Sequence, residues 1–293
     1  MAEQAAMDRP VAAAAAVHRA TVAAVIPTLN VGDLIRPTLE SLRFCDEVIV
    51  VDMFSTDDTR AVCESFPNVR FFQRRDYIFG NFNFGIDQAA SDWIIRIDSD
   101  EVIGAELRSA IVGVLEKNPP EYSHFEAECH LYICGMRLRG GYGQGFRTTL
   151  FRKGAGRYPV QGEHEGLELT GRRGRLSGHY DHFSVPTLSN WIGKYNYYTD
   201  KDAERMPLRP PKPWWKVLWH AANHFRGSYF GAGRLRHDGY LGFTVAVLAA
   251  FAQVLLELKV WERYERERLL GAGLLPDHPN AAPGRTATGR GEP

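Results

Sequence analysis

Cysteine is scarce in this chain: four in 293 residues, namely Cys45, Cys63, Cys129 and Cys134. None stands in a Cys-x-x-Cys pair. They read as buried reduced thiols of a reducing, cytosolic compartment rather than a disulfide or zinc framework. A charge excess of one sign is also missing. Lys plus Arg equals Asp plus Glu at 35 each, which removes any global attraction to nucleic acid. No Gly-x-Gly-x-x-Gly follows the first apolar run, and no Gly-Lys-Ser/Thr occurs, which disfavours a dinucleotide oxidoreductase and a P-loop NTPase. The Ala-rich residues 1–20 lack the basic start and Leu-like core of a signal peptide and read as a disordered tail. Residues 271–293, rich in Gly, Pro, Ala and Arg, read as a second one. Internal repeats are absent.

What the chain does have is the stretch Trp93-Ile94-Ile95-Arg96-Ile97-Asp98-Ser99-Asp100-Glu101. Its isoleucines suit a strand covered on both faces. Three acids then fall within four residues. Like charges this close repel unless a cation joins them or some are protonated. Hard oxygen ligands at a strand end suit Mg²⁺ or Mn²⁺, which usually also hold a substrate phosphate. The alternative is a solvated acidic turn that caps the next helix.

Upstream, Val22 to Ile26 and Glu47 to Val51 are apolar runs, and Val69 to Phe72 is a shorter one. Each is predicted as a strand. Helices are predicted from an Asp33 cap to Phe44, from Asp58 to Ser65 and from Asn83 to Ala90. Strands alternating with helices at this spacing imply βαβ units and a parallel sheet. Ligands of such sheets bind at the carboxyl ends of the strands. The loops holding Thr28 and Asn30, then Asp52, then Asp98 and Asp100, are therefore expected to converge. Asn81 and Asn83 are expected to cap the helix before the acidic strand.

These residues resemble a family. Ala24-Val25-Ile26-Pro27-Thr28-Leu29-Asn30, then Val50-Val51-Asp52 with Ser55-Thr56-Asp57 and Thr59, then Asp98-Ser99-Asp100-Glu101, resemble the nucleotide-sugar half of family-two glycosyltransferases. The resemblance is strong over residues 21–101. One departure is visible: the usual acid-plus-Gly after the first Asp of the second loop is Met53-Phe54 here. That variant looks like the subgroup that builds lipopolysaccharide or lipooligosaccharide cores. The implied fold is α/β of GT-A type, a Rossmann-like, mostly parallel sheet with helices on both faces. Pro27, Thr28 and Asn30 would line the nucleoside pocket, and Asp52 would hydrogen-bond the base, since a carboxylate accepts the N–H of uracil. Asp98 would contact ribose or metal, Ser99 would lie in the donor site, and Asp100 would bind the metal on the diphosphate.

In the second half, Ser123 to Ile133 alternates like a strand, with Phe125, Ala127, Cys129 and Leu131 on one face. Gly140 to Gly145 reads as a flexible loop. Thr149 to Arg152 resembles the strand under the acceptor site of the family. His164-Glu165 matches the family's His-Glu pair. An inverting transferase needs a base for the acceptor hydroxyl, and Glu165 is the candidate, with Glu163 its local competitor. Alternatively these acids pair with Arg157 or with the arginines between 172 and 175. His179 is the candidate late histidine ligand of the metal, with His182 second. His220-x-x-x-His224 lacks the Glu of a zinc-protease motif and reads as a helix face.

From Arg205 to His237 there are seven Lys or Arg and no acid, interleaved with Trp214, Trp215, Trp219, Phe225, Tyr229 and Phe230. This mix suits an anionic membrane interface. The uncharged run Leu241 to Leu256 stops at 16 residues, short of the ~20 that span a bilayer. Val247, Phe251, Val254, Leu258 and Trp261 share one helical face, which implies an amphipathic helix in the interface or packed on the catalytic domain.

The expected organisation is a catalytic domain over 21–200, divided at 101 into nucleotide and acceptor halves, then a helical membrane-associating extension over 201–270. The expected activity is metal-dependent, inverting transfer of a hexose from a nucleotide-diphospho-sugar, UDP-glucose foremost, to a lipid-linked saccharide. Peripheral attachment to the inner face of the cytoplasmic membrane follows, with no nucleic-acid partner. The alternatives are a polyprenyl-phosphate glycosyltransferase and a non-catalytic nucleotide- or membrane-binding protein with this fold.

Overall fold

The computed structural model describes residues 19–141, 145–159, 166–231 and 234–274. Both tails fall mainly outside these ranges. The first half runs β1 (Val22–Thr28), α1 (Ile35–Ser41), β2 (Glu47–Asp52), α2 (Thr59–Glu64), β3 (Val69–Gln73), α3 (Ile78–Gln88), β4 (Trp93–Arg96), β5 (Glu101–Ile103) and α4 (Ala105–Lys117). The second half continues with β6 (His124–Ile133), β7 (Met136–Arg137), β8 (Gly145–Arg152), β9 (Gly156–Arg157), β10 (Glu168–Leu169) and β11 (Arg173–Val185). It ends in α5 (Leu188–Arg205), α6 (Trp214–Phe230) and α7 (Gly239–Gly271).

The main sheet has the order β3-β2-β1-β4-β8-β6-β11-β5, with β7 paired to β6. Strands β3, β2, β1 and β4 are mutually parallel, as the βαβ spacing requires. From β8 onward the sheet turns mixed: β8 runs antiparallel to both β4 and β6, and β5 antiparallel to β11. The parallel expectation therefore holds for β1 to β4, and again where β6 runs parallel to β11.

Strands β1, β2 and β4 are apolar on both faces because both faces are covered. Ile35 and Leu39 of α1, Cys63 of α2 and Leu107, Ile111 and Leu115 of α4 pack on one side. Phe82 and Ile86 of α3 pack on the other. Each fully buried Ile or Val there stabilises the fold by roughly 1.5–3 kcal/mol. Gly85 lets α3 approach β1, since a Cβ there would collide with Val25.

Local expectations were corrected in two places. Helix α1 starts after Leu34 with no side-chain cap, so Asp33 does not cap it. Helix α3 begins five residues earlier than the pattern implied, which puts Asn81 and Asn83 inside it. Both are buried and serve as clamps rather than caps. Asn81 donates to the Asp76 carbonyl at 3.0 Å. Asn83 donates to the Tyr158 carbonyl at 2.8 Å and accepts from its N–H at 3.0 Å.

Helices α5, α6 and α7 form a third core with Leu131, Ile133 and Val185. Helix α7 is 33 residues long, well beyond the uncharged run. Its inward face is made of Gly242, Val245, Ala246, Ala249, Ala252 and Val260. The stripe of Val247, Phe251, Leu258 and Trp261 faces outward, alongside the exposed Trp214, Trp215 and Trp219 of α6. Val254, the fifth residue of that stripe, is half-buried. By length and composition, α7 with the preceding turn is the one helix among the described residues apolar enough to cross a membrane.

Candidate active site

Because β1, β2 and β4 are parallel neighbours, their carboxyl ends meet at one edge. Thr28 and Asp52 are partners in the β1–β2 register, and Asp98 lies two residues beyond β4. The loops after β1 and β2 are laced into one unit. Asn30, at φ 51°, accepts from the Thr56 N–H at 2.9 Å and donates its own N–H to the Ser55 hydroxyl at 2.8 Å. The Val31 N–H donates to Thr59 at 2.9 Å and the Gly32 N–H to Asp57 at 3.0 Å.

Asp52 is 0% exposed. Its carboxylate accepts from the Ser55 N–H at 2.9 Å, Thr28 at 3.2 Å and Gln73 at 3.2 Å, and also from the Ser55 hydroxyl. The edge therefore holds Asp52 where expected, but with its acceptor capacity spent on the loop itself. Pro27 and Thr28 are buried as well, so Asn30 is the most open of the four.

Phe54, part of the departure visible in the sequence, carries a backbone feature as well. It stands where the family has glycine and adopts φ 63°, a left-handed conformation costly for a bulky residue. Its ring is exposed, with the Arg75 guanidinium 5.2 Å from the centroid.

The acidic turn is braced by cations from three strands. Arg96 of β4 binds Asp98 at 2.8 Å and approaches Glu101 at 3.5 Å. Arg147 of β8 lies 3.5 Å from the other Glu101 oxygen. His182 of β11 places Nε2 3.5 Å from Asp100. The Asp98 N–H donates to Glu101 at 2.9 Å, and Thr38 of α1 donates to the Ser99 carbonyl at 2.8 Å.

Burial, then the Asp98 charge, push the Glu101 carboxyl above its ordinary value. Burial opposes charge on His182 too, but hydrogen bonding to Asp100 and Cys129 outweighs it and lifts the imidazole to about 10. Burial likewise works against the Asp100 charge, yet His182 holds its carboxyl below the usual range. Asp100 remains ionised and opens onto a cavity of about 410 Å³ walled by Asp33, Leu34, Tyr132 and Phe183.

Strand geometry separates the two histidines that the sequence offers as metal ligands. Alternate residues of a strand point to opposite faces. His182 turns toward Asp100, whereas His179 lies on the other face, stacked on His130 at 3.7 Å. The second candidate, not the first, therefore sits beside the acidic turn. Asp98 and Asp100 suit a hard divalent ion, which binds through one or two carboxylates and takes further oxygens from substrate phosphates. Glu101 faces inward and is spoken for.

His164, Glu165 and Glu163 lie outside the described residues, as do residues 142–144 of the glycine-rich loop. The described arginines near them are engaged elsewhere: Arg157 pairs with Asp87 at 2.8 Å and Arg173 with Glu126 at 3.0 Å. Three cysteines are buried and Cys134 half-buried, all as free thiols.

A parallel first half, a strand-end acidic turn and a mixed second half make a GT-A-like mixed sheet with helices. Residues 23–130 match the family described as glycosyl transferase family 2, and this match, with relatives named as glycosyltransferases, supports glycosyltransferase activity. The chain is similar to the lipopolysaccharide core biosynthesis glycosyltransferase LpsC of Rhizobium meliloti (strain 1021), at 28% identity over 83% of this chain and 93% of the relative. It also resembles the GalNAc(5)-diNAcBac-PP-undecaprenol beta-1,3-glucosyltransferase of Campylobacter jejuni, at 28% identity over 36% of this chain and 37% of that one. Among solved structures, S. aureus TarS 1–349 aligns over 86% of this chain and 92% of its own, at 16% identity and a TM-score of 0.41.

Proposed function

We propose that this glycosyltransferase moves a hexose from a UDP-sugar, UDP-glucose foremost, to a lipid-linked saccharide of the lipopolysaccharide core class, with inversion at the anomeric carbon. One observation carries the reading: Asp98 and Asp100 lie at the same sheet edge as the laced β1 and β2 loops, and Asp100 opens onto the cavity. The LpsC likeness along nearly the whole of that relative supports the acceptor class. The Campylobacter relative, whose name specifies an undecaprenol-linked acceptor, is consistent with it.

In this reading Asn30 and the Asp52-braced loop seat the nucleoside. Asp98 and Asp100 hold Mg²⁺ or Mn²⁺, which offsets charge on the departing diphosphate. Arg96, Arg147 and His182 keep the acidic turn from repelling itself before the ion arrives. Glu165, beside His164, takes the proton of the acceptor hydroxyl as that oxygen attacks. The outward apolar stripe of α7 and the tryptophans of α6 rest on the anionic inner face of the cytoplasmic membrane, where a lipid-linked acceptor is within reach.

The test is release of UDP from UDP-glucose in the presence of Mn²⁺ and a lipid-linked core saccharide. Loss of release in Asp100→Ala, and of transfer in Glu165→Gln, is the expected result. Release that survives removal of divalent ions overturns the metal assignment. Transfer that tolerates Glu165→Gln points to a phosphate acceptor, the polyprenyl-phosphate reading, which needs no strong base.

A further inference from the structure

Phe54 is strained at a position where its side chain does little for the fold. It has φ 63°, and among the described residues it is the one aromatic side chain at positive φ. A bulky residue is disfavoured there, and such outliers persist only where the surroundings fix them, most often at ligand sites. The surroundings do fix this one. The Met53 N–H donates to the Thr28 carbonyl at 2.8 Å and the Ser55 N–H to the Asp52 carboxylate at 2.9 Å, so both neighbours of Phe54 are pinned. Yet the ring is 45% exposed and joins none of the three buried cores. Glycine would serve this backbone without strain.

The ring's companion is the Arg75 guanidinium, 5.2 Å from its centroid. An exposed contact of this kind stabilises weakly and does not offset the strained backbone. Arg75 is itself exposed and, among the described residues, pairs with no carboxylate, whereas its neighbour Arg74 binds Asp76 at 2.7 Å. Its place follows from the sheet. The Arg74 N–H donates to the Asp52 carbonyl at 2.9 Å, which holds the chain leaving β3 against the end of β2. A flat π-face and free N–H donors are thus exposed together, two residues past Asp52. The Asp52 carboxylate is sealed, so a planar ligand at this edge has these groups to lie on in its place.

We infer that Phe54, with Arg75 beside it, is the stacking platform for the nucleobase of the sugar donor. The inference rests on the nucleotide-sugar reading above and adds to it the side chains that grip the base. A nucleobase suits them: it stacks on aromatic rings and guanidinium planes, and its carbonyl oxygens accept from arginine. The diphosphate end of the donor is left to Asp98, Asp100 and their ion, so the two ends of the nucleotide are held by separate groups. Phe54 therefore sets affinity for the base without touching the phosphates.

Calorimetric titration of the full chain with UDP and, separately, with pyrophosphate, each in Mg²⁺, tests this. Phe54→Gly and Phe54→Leu should each weaken UDP binding roughly tenfold or more, the loss expected when a base loses its aromatic partner. Both should bind pyrophosphate as the wild type does, and Phe54→Tyr should keep full affinity for UDP. Ligand-free Phe54→Gly should melt no lower than the wild type, because glycine relieves the backbone. With the wild type binding UDP, three results overturn the inference alone: unchanged UDP affinity in both variants, pyrophosphate affinity lost in step with UDP, or a lowered melting temperature in Phe54→Gly. A wild-type chain that binds pyrophosphate as tightly as UDP gains nothing from the base, and this overturns the nucleotide-sugar reading and the inference together.

Discussion

His182 Nε2 stands 3.5 Å from Asp100 Oδ1, across the antiparallel contact of β11 and β5. The pair joins the acidic turn to the second half of the chain, because β11 also borders β6. Removing the imidazole leaves Asp100 without its nearest cation, and breaking a buried pair from one side costs about 3 kcal/mol. His182→Ala is therefore expected to lower the urea midpoint of the metal-free protein markedly. Mn²⁺ should recover part of the loss, so the metal-induced rise in midpoint should be larger in the variant than in the wild type. Equal shifts in both would separate His182 from the turn's charge balance.

Asp52 is the second structural carboxylate. All of its visible partners are groups of the edge itself, from Ser55, Thr28 and Gln73. Asp52→Asn keeps the shape but puts an amide NH₂ against at least one donor, leaving buried donors unpaired at about 1–3 kcal/mol. Thermal melting should register this loss without nucleotide present. A variant as stable as the wild type would mean that the carboxylate serves the ligand alone.

The outward surface of α6 and α7 yields a binding prediction. Trp214 is 74% exposed and Trp261 48%, and both line a groove with Lys212 at its edge. Replacing Trp214, Trp219 and Trp261 by Ala should weaken co-sedimentation with vesicles rich in anionic lipid at least tenfold. Raising salt should weaken the wild type as well, since basic residues add about 1 kcal/mol each near such a surface. Equal sedimentation of variant and wild type would remove these tryptophans from membrane contact.

The parts of the molecule legible in the sequence are those governed by local pattern. β1, β2 and β4 announced themselves as apolar runs because helices cover both their faces, and each ended in the polar residues that reach the shared edge. What escaped depended on partners distant in the chain. Asn81 and Asn83 looked like caps, since nothing nearby revealed that Tyr158 would clamp one of them inside a helix. The β8 to β5 half is mixed because β8 pairs with both β4 and β6, a choice no periodicity encodes. His179 and His182 were ranked without strand parity; reading Gly178 to His182 as a strand would have placed them on opposite faces. Helix α7 outran its uncharged stretch because its charged later turns stay helical while facing solvent.

Glu257 offers a prediction that turns on pH. It sits on α7 and accepts from Arg209 at 2.8 Å and Lys212 at 2.6 Å, residues of the proline-rich segment that leads into α6. Burial works against its charge, but the hydrogen bonds from Lys212 and Arg209 outweigh that and hold its pKa below the ordinary 4.5. A carboxylate whose folded pKa is depressed adds stability above its unfolded pKa, and that stability fades as pH falls through the folded value. With partners partly exposed, the contribution is about 1 kcal/mol. Glu257→Gln should therefore melt below the wild type at pH 7, and the gap should close as pH drops beneath 4.5. High salt should narrow the gap at pH 7, because these charges are within reach of screening ions. A gap that stays constant from pH 7 to pH 3.5 would assign the loss to packing, and the segment before α6 would then be held by its prolines and Trp214 rather than by this carboxylate.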